Sequence, residues 1–423
     1  MVSARCSYDF QESRSATTQF ASTGLFLAAL GIRPVVDALR TTAIQTEPAC
    51  GPPKGSGVSD LERNLVMATL TTGPVGIGDM IGGTNLTLLN RALRSDGVIL
   101  KPGFAAHRLD NFYMDTANTS TSTSTSTSTC RKAEVWSAPT VPARTNSSAR
   151  HDRRANSMAR LFPLTGSGRV RNRSASTRDL WWYSLLLWDL SESNCSITPA
   201  QLSPPALSSH GYVVSRFGKP CKDGAAAASC VKAFIEETSP LDVATTTSQT
   251  GRATDIRLHQ VAPVLPGGWV LLGEQSKYVA VSPQRFMSAR VSGSSAAAAA
   301  AAVDDASGGA RDALSDALSD DELLYNGGMG DDNLVLGFTV LGEPGETVDV
   351  AVIGPSPIST GTPPVSTGTP EVTVQDQSGI EVKQRGVVTV LQVVVGAAGQ
   401  SKVECAPGKP KVCQQVAVHN VVE

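Results

Sequence analysis

The sequence predicts an α+β protein of several domains, in which an incomplete (β/α) barrel end precedes an antiparallel β-sandwich. Three observations support this prediction. Helix and strand patterns alternate with short connections over residues 1–115, as in α/β barrels. Low-complexity stretches, predicted to be long disordered insertions, then interrupt the chain twice. Beyond residue 179 the ordered stretches show the apolar and polar alternation of β-strands.

Residues 1–115 are predicted to form the partial barrel. The apolar stretch Thr23–Ile32 could pass for the centre of a signal peptide, but acidic residues precede it and no Ala-x-Ala site follows. A buried helix is therefore predicted there. Ser59 and Glu62 have the spacing of a capping box and predict a second helix, which should end before Gly73–Pro74.

Three more elements are predicted in this region. Residues 75–77 should form a short buried strand. Thr84 should then cap a helix that ends at Asp96–Gly97, because a glycine commonly follows the last helical residue. Residues 98–100 should return as another strand.

Two stretches predict disorder. Residues 116–178 contain a long Thr-Ser repeat and then arginines scattered among serines, and residues 291–330 are rich in Ala, Asp and Ser. The basic cluster lacks a folded motif or interleaved aromatic residues, so it predicts a solvated insertion and no nucleic-acid partner. Within it, Ala133–Trp136 is predicted to be an isolated ordered strand.

The remaining residues, 179–290 and 331–423, predict antiparallel β-sheet. A strand is expected over 181–188, and the stretches 261–274 and 278–285 predict the two arms of a hairpin. Further strands are predicted at 334–340, 347–353, 371–374, 380–384, 387–395 and 416–422.

The composition narrows the classes of partner. With 36 basic and 38 acidic residues the net charge is −2, so no global field favours nucleic acid or an acidic membrane surface. No apolar run approaches the roughly 18 residues that a membrane span needs. The eight cysteines include no Cys-x-x-Cys pair and the five histidines are scattered, so no metal site is predicted.

Cysteines and glycosylation sequons bear on the compartment. Cys405 and Cys413 flank a turn-forming run, so a hairpin could bring them within bridging distance, and Cys221 with Cys230 is a second candidate pair. Asn-x-Ser/Thr sequons, typical of secreted proteins, occur at five asparagines. An extracellular or secretory location is predicted.

Three segments resemble glycoside hydrolases of the α-galactosidase and raffinose synthase kind. Residues 73–79 and 94–102 are similar to a raffinose synthase segment in which a Gly-Pro strand ends in an aspartate and a helix leads to a return, although Ser95 stands in place of a proline. Arg5–Phe10 resembles the Arg-x-x-x-Asp motif that carries the general acid/base in that clan. Residues 267–286 resemble the C-terminal sandwich of uncharacterised relatives and imply no catalytic role.

The resemblance implies retaining chemistry on α-galactosides, either hydrolysis or galactosyl transfer, without metal or organic cofactor. Such cleavage uses two carboxyl groups roughly 5–5.5 Å apart. Asp9 would be the acid/base, Arg5 would orient it or bind sugar, and Asp79 would contact substrate at the mouth of a barrel strand. The family's nucleophile lies in a Lys-x-Asp motif on an earlier strand. This sequence begins too late to contain that motif, so we expect the chain to be incomplete as a catalyst.

Each assignment has a structural alternative. Asp9 could be an ordinary surface carboxylate, and Asp79 could cap the helix that follows it. The glycines of residues 73–78 suggest a phosphate-binding loop, but their spacing differs from Gly-x-Gly-x-x-Gly and no lysine follows.

A second function class also fits the composition: a non-catalytic extracellular or cell-wall β-sandwich protein that binds glycans or other partners. The tryptophans of the β-rich part could stack on sugar rings, although sandwich cores use tryptophan in the same way. These residues are Trp181, Trp182, Trp188 and Trp269.

Overall fold

The protein is mostly antiparallel β-sheet with few helices. The computed structural model describes residues 2–7, 14–42, 61–109, 134–142, 180–188, 196–202, 211–220, 222, 230–234, 241–242, 256–265, 268–293, 334–354, 373–375, 381–383, 388–395, 400–405 and 413–416. The predicted insertion 116–178 and linker 291–330 fall outside these residues, apart from 134–142 and 291–293.

The N-terminal region is a β-α-β-α-β unit with a three-stranded parallel sheet in the order β1-β2-β3. Parallel neighbouring strands need a crossover connection between them, and a helix usually provides it. The elements are β1 (Ser3–Arg5), α1 (Arg14–Ala29), β2 (Arg33–Leu39), α2 (Leu61–Leu70) and β3 (Val75–Ile77). The two helices and β3 were predicted, whereas β1 and β2 were not, and Ser59 of the proposed capping box lies outside the described residues.

Two expectations of burial in this unit are wrong. The predicted buried helix exists as part of α1, but only one side of it is covered: Phe26 is 63% exposed, and Leu30, directly after the helix, is 58% exposed. Strand β3 forms as predicted at the edge of the sheet, yet Val75 is only half-buried and Ile77 is 38% exposed. The apolar stretches therefore predicted this helix and this strand correctly, but predicted the burial of their side chains only in part.

The glycines around β3 allow β2 to approach closely. A Cβ atom on Gly73 would lie 1.4 Å from the Pro34 carbonyl oxygen, and one on Gly78 would lie 2.8 Å from the Ala38 Cα. No side chain larger than hydrogen fits there without moving backbone. Packing against β2 thus accounts for two of the glycines that suggested a phosphate-binding loop.

The helix predicted after Thr84 is shorter and begins one residue later. Helix α3 spans Leu86–Leu89, and Asn85 caps it by accepting a hydrogen bond from the Leu88 N–H at 3.1 Å. The chain then reverses in a tight turn in which the Arg94 N–H donates to the Val98 carbonyl at 2.9 Å. Because of this reversal the helix cannot reach Asp96, and residues 98–100 contribute only an isolated bridge instead of the predicted strand.

The middle of the chain forms a six-stranded antiparallel sheet in the order β4-β5-β6-β11-β8-β9. The predicted strands at Ala133–Trp136 and 181–188 are confirmed as β5 and β6. A two-stranded sheet and a short 3₁₀ helix, Pro199–Gln201, accompany it. The strands are β4 (His107–Arg108), β5 (Glu134–Thr140), β6 (Trp182–Trp188), β7 (Ser196–Ile197), β8 (Tyr212–Arg216), β9 (Val231–Phe234), β10 (Leu241–Asp242) and β11 (Arg257–Pro263).

Two antiparallel sheets with the orders β12-β15-β18 and β13-β14-β19-β20 complete the fold, and β16 pairs with β17. The predicted strand at 347–353 is confirmed to the residue as β15, whereas β19 was not predicted. The strands are β12 (Val270–Gly273), β13 (Phe286–Gly293), β14 (Leu334–Leu341), β15 (Thr347–Ile353), β16 (Thr373–Gln375), β17 (Glu381–Lys383), β18 (Val388–Val394), β19 (Gln400–Cys405) and β20 (Cys413–Val416).

The hairpin predicted from 261–274 and 278–285 is wrong. Strand β12 pairs with β15, and β13 pairs with β14. The chain between them turns twice: the Lys277 N–H donates to the Glu274 carbonyl, and the Phe286 N–H donates to the Ser282 carbonyl. These turns carry the apolar residues 278–281 into the core, and a backbone hydrogen bond from the Glu274 N–H to the Ala280 carbonyl at 2.9 Å joins them to the end of β12.

The cysteine expectations have mixed outcomes. The predicted hairpin between Cys405 and Cys413 is confirmed, since the two residues lie opposite each other in the β19–β20 register. Cys230 is disulfide-bonded, while Cys221, its proposed partner, lies outside the described residues. Cys6 is free and buried, and burial raises the pKa of its thiol to about 11.

Three cores are found among the described residues, and one of them lies within the middle sheet. The two C-terminal sheets share another, which contains Phe286, Phe338 and Val350 and also includes side chains of the middle sheet. The third core joins helices α1 and α2 to the middle sheet, where Leu65 packs in the same cluster as Trp188. The N-terminal unit therefore buries its helices against the rest of the chain. Within the described part of the chain no helix is both long and apolar enough to cross a membrane.

Candidate functional site

Two of the predicted site residues lie at one edge of the parallel sheet. Arg5 is the last residue of β1, and Asp79 follows β3 closely. Strands that run in the same direction present their carboxyl ends at the same edge, where α/β proteins usually bind ligands. Asp9, the predicted acid/base, lies outside the described residues.

The structure adds Asp37, from the C-terminal half of β2, to this edge. The Arg5 Nη1 atom lies 3.8 Å from Asp37 Oδ2, and the two side chains are 41% and 55% exposed. An ion pair so open to solvent contributes little to stability. Both charged groups are consequently accessible to a ligand.

Local backbone geometry directs Asp37 outward. Ser7 Oγ donates to the Asp37 carbonyl at 3.1 Å and accepts from the Asp37 N–H at 2.8 Å. The next residue, Ala38, has a φ of 54°, and the pairing of β2 with β3 shifts register between Val36 and Leu39. Irregularities of this kind re-aim side chains and are frequent at functional sites.

Asp79 fastens the end of β2 to the loop after β3. Its Oδ1 accepts from the Thr41 N–H at 2.9 Å, and its Oδ2 accepts from the Thr41 hydroxyl at 2.5 Å. The Thr41 hydroxyl oxygen in turn accepts from the Asn85 N–H at 2.7 Å. The alternative in which Asp79 caps α3 is wrong, because Asn85 is the cap; substrate contact by Asp79 stays a prediction.

The tryptophans of the β-rich part serve mainly as core residues. Trp182, Trp188 and Trp269 are 6%, 2% and 0% exposed. Trp182 also donates from its indole N–H to the Leu271 carbonyl at 2.9 Å, which ties two sheets together. Trp181 is half-buried, with its ring centroid 5.4 Å from that of Phe104. Three of the four residues are thus unable to stack on a sugar.

A cavity of about 650 Å³ lies where the N-terminal unit meets the β-sheets. Glu62 of α2 and Arg91 form an ion pair at its wall, with Oε1 and Nη1 2.5 Å apart. The Tyr278 hydroxyl donates to the same oxygen at 3.1 Å. Burial, and after it the Glu62 carboxylate, raise the pKa of Tyr278 above its ordinary value, so the phenol stays protonated.

A buried ion cluster lies nearby in the β-rich part. Arg285 donates to Glu274 at 2.9 Å and to both carboxylate oxygens of Glu346, at 2.9 and 2.7 Å. Burial raises the pKa of Glu274. For Glu346 burial also acts to raise the pKa, but hydrogen bonds from Arg285 outweigh it and lower the pKa. Arg285 carries one positive charge against two carboxylates, and Lys277, whose Nζ lies 3.7 Å from Glu274 Oε1, supplies the second. The cluster therefore has the character of a structural tie.

Sequence reasoning missed Asp37 and the Glu62–Arg91 pair. Asp37 interrupts the apolar run of a strand that a parallel sheet would bury on both faces, and that interruption was the available signal. The described part of the chain contains no group of three or more His, Cys, Asp and Glu side chains that could hold a metal ion. No protein-family model and no curated protein of known function matches the sequence.

Proposed function

We propose that this chain is a glycoside hydrolase-like protein that binds α-galactosides at the C-terminal edge of its parallel sheet. The chain would be part of an enzyme that hydrolyses α-galactosides or transfers galactosyl groups with retention of the anomeric configuration, or it would descend from such an enzyme. The observation that carries the proposal is the exposed Arg5–Asp37 pair at the carboxyl edge of the parallel sheet, in which Arg5 is the arginine of the Arg-x-x-x-Asp motif and Asp37 comes from β2.

The chemistry of this pair suits a sugar. A guanidinium offers several N–H donors in a fixed plane, and a carboxylate offers two acceptor oxygens. Adjacent sugar hydroxyls can accept from the first and donate to the second. Ser7 and the irregular backbone at Ala38 hold Asp37 in place, so little ordering would accompany binding.

The fold supports the proposal at the level of architecture. We interpret the three parallel strands as the end of a (β/α) barrel, because each is connected to the next through a helix and their order follows the chain. We interpret the two C-terminal sheets with their shared core as a β-sandwich. The disulfide at Cys230 favours an extracellular or secretory location.

Asp9 is the proposed acid/base of this site. In the sequence it follows Arg5, the last residue of β1, by four positions, which is the spacing of the Arg-x-x-x-Asp motif. Retaining cleavage needs a second carboxyl group as nucleophile. We therefore propose that this chain binds sugar at the sheet edge. Asp9 would act as the acid/base when a nucleophilic carboxylate is also present in the site.

The rival proposal, a non-catalytic β-sandwich that binds glycans, has less support. Its candidate sugar-stacking residues were the four tryptophans, and three of them, Trp182, Trp188 and Trp269, are buried in cores.

Turnover of raffinose, an α-galactoside whose leaving group is a weakly acidic sugar hydroxyl, tests the catalytic part of the proposal. An upstream-extended chain that supplies the Lys-x-Asp nucleophile is compared with its Asp9→Asn variant and with its Glu343→Gln variant, which changes an exposed acidic residue. We expect Asp9→Asn to lose roughly 100-fold or more in rate, because general acid catalysis contributes about that much, and Glu343→Gln to match the unchanged chain. Equal rates in the two variants would remove Asp9 from the mechanism.

A further inference from the structure

We infer that the cavity between the N-terminal unit and the β-sheets is a second binding site, which takes a neutral saccharide. The choice of a sugar as ligand rests on the function proposed above. The site itself rests on separate residues, since neither Arg5 nor Asp37 lines this cavity.

The cavity is built from both halves of the molecule. Its walls come from α2, from the end of β8, from β11, and from β15 and β18. A volume of about 650 Å³ is within the range of small-molecule sites, and such sites favour junctions between structural units.

The Glu62–Arg91 pair supplies the polar recognition. Both hydrogen bonds that Glu62 receives from described residues, from Arg91 and from Tyr278, end on Oε1. Its Oε2 receives none from the described part of the chain. Side-chain exposure of 40% for Arg91 and 35% for Glu62 leaves both partly open. An acceptor oxygen and guanidinium N–H groups thus lie side by side and are already held in position, as adjacent hydroxyls require.

Apolar surface lies beside these polar groups. The Phe217 ring lines the cavity, with the guanidinium carbon of Arg91 5.7 Å from its centroid and the Tyr278 ring centroid at 5.0 Å. Val66, Leu258 and Val390 extend this apolar lining. Sugar rings bind where carbon-bound faces can pack on such surface while their hydroxyls reach polar groups.

The charge of the lining favours a neutral ligand. Its charged members are Glu62 and Asp349 against Arg91 and Arg216, which balance. A phosphorylated or otherwise anionic ligand would meet the carboxylates as well as the arginines. Asp349 and the Ser276 hydroxyl add an acceptor and a donor that a polyhydroxylated ligand can use.

Hydrogen–deuterium exchange of the full chain with raffinose locates the two sites separately. We expect slower exchange in peptides covering Tyr212–Pro220 and Thr347–Ile353, which carry the cavity lining. Slower exchange in peptides covering Ser3–Ser7 and Arg33–Leu39 reports the sheet edge instead. Protection at the edge alone would overturn the cavity site and leave the proposed function standing; protection at the cavity alone would support the cavity and contradict the edge.

Calorimetric titration of raffinose into variants completes the test. Asp349→Asn removes a charge from an exposed side chain of the lining and should weaken the cavity component about tenfold, the effect expected for one hydrogen bond to a charged group. Glu343→Gln, an exposed carboxylate in the turn before β15, is the matched control and should bind as wild type does. Equal affinity of Asp349→Asn and Glu343→Gln for raffinose would contradict the assignment.

Discussion

The N-terminal unit and the C-terminal sheets are stabilised in different ways. Strands β1 and β3 of the parallel sheet have three residues each, and apolar residues such as Phe26 and Ile77 remain exposed around them. Strands β14 and β15 have eight and seven residues, and their inward side chains are buried in a shared core. The C-terminal sheets cover each other, whereas the parallel sheet leaves one edge open.

This difference indicates where stability and binding reside. The helices of the N-terminal unit are buried against the middle sheet, so that unit depends on the rest of the chain for its core. Its open C-terminal edge carries Arg5 and Asp37, neither of which is needed for packing. Changes at the edge should therefore affect ligands, and changes at the ties and cores should affect folding.

The largest expected effect is on the ion cluster of the C-terminal sheets. Arg285→Met should lower the free energy of unfolding by about 3–5 kcal/mol, because it leaves Glu274 and Glu346 without their common partner. Urea denaturation measures the loss. Arg5→Met, a change in an exposed arginine, is the control and should cost less than about 1 kcal/mol. If both variants were equally stable, the cluster would not be the tie described above.

A single added methyl group should break the parallel sheet. Gly73→Ala places a Cβ atom 1.4 Å from the Pro34 carbonyl oxygen, so β2 and β3 would have to separate. We expect a loss of about 3 kcal/mol, at the upper end of the cost of overpacking, measured by thermal denaturation. Gly103→Ala is the control, since its nearest neighbours would be 3.4 Å away or more. A Gly73→Ala variant as stable as Gly103→Ala would contradict the close approach.

Acid should weaken the C-terminal sheets by a smaller amount. The folded-state pKa of Glu346 is lowered from its ordinary value of 4.5, so its contribution is present above that pH and is lost as the pH falls through the lowered value. The pKa of Glu274 is raised, so its protonation at low pH favours the folded state and partly offsets the loss from Glu346. Between pH 5 and 3 the wild type should lose up to about 1 kcal/mol more than Glu346→Gln. Parallel pH dependences of the two melting temperatures would exclude this role of Glu346.

Strands that depend on local pattern could be predicted from the sequence. Thr347–Ile353 was predicted to the residue because its residues alternate between polar and apolar up to Val350 and then continue as an apolar run to the next turn-forming residues. The helix that ends before Gly73–Pro74 was predicted for the same kind of reason. The predicted barrel and sandwich remain interpretations of the parallel unit and the antiparallel sheets.

Features that depend on distant residues could not be predicted. Residues 278–285 read as the second arm of a hairpin, yet Tyr278 donates its N–H to the Arg91 carbonyl and its hydroxyl to Glu62, both far away in sequence. Similarly, the position of Asp37 follows from Ser7 and from a register shift against β3. Such partners carry no signal in a local window of sequence.

The affinity for raffinose, measured by calorimetric titration of wild type against Arg5→Gln and Asp37→Asn, tests most directly whether the edge of the parallel sheet binds sugar. Both side chains are exposed, so the variants should keep the thermal stability of wild type. We predict that each weakens binding at the edge about tenfold or more, the effect of losing one charged hydrogen bond. Unchanged affinity in both variants, with the fold intact, would contradict the account.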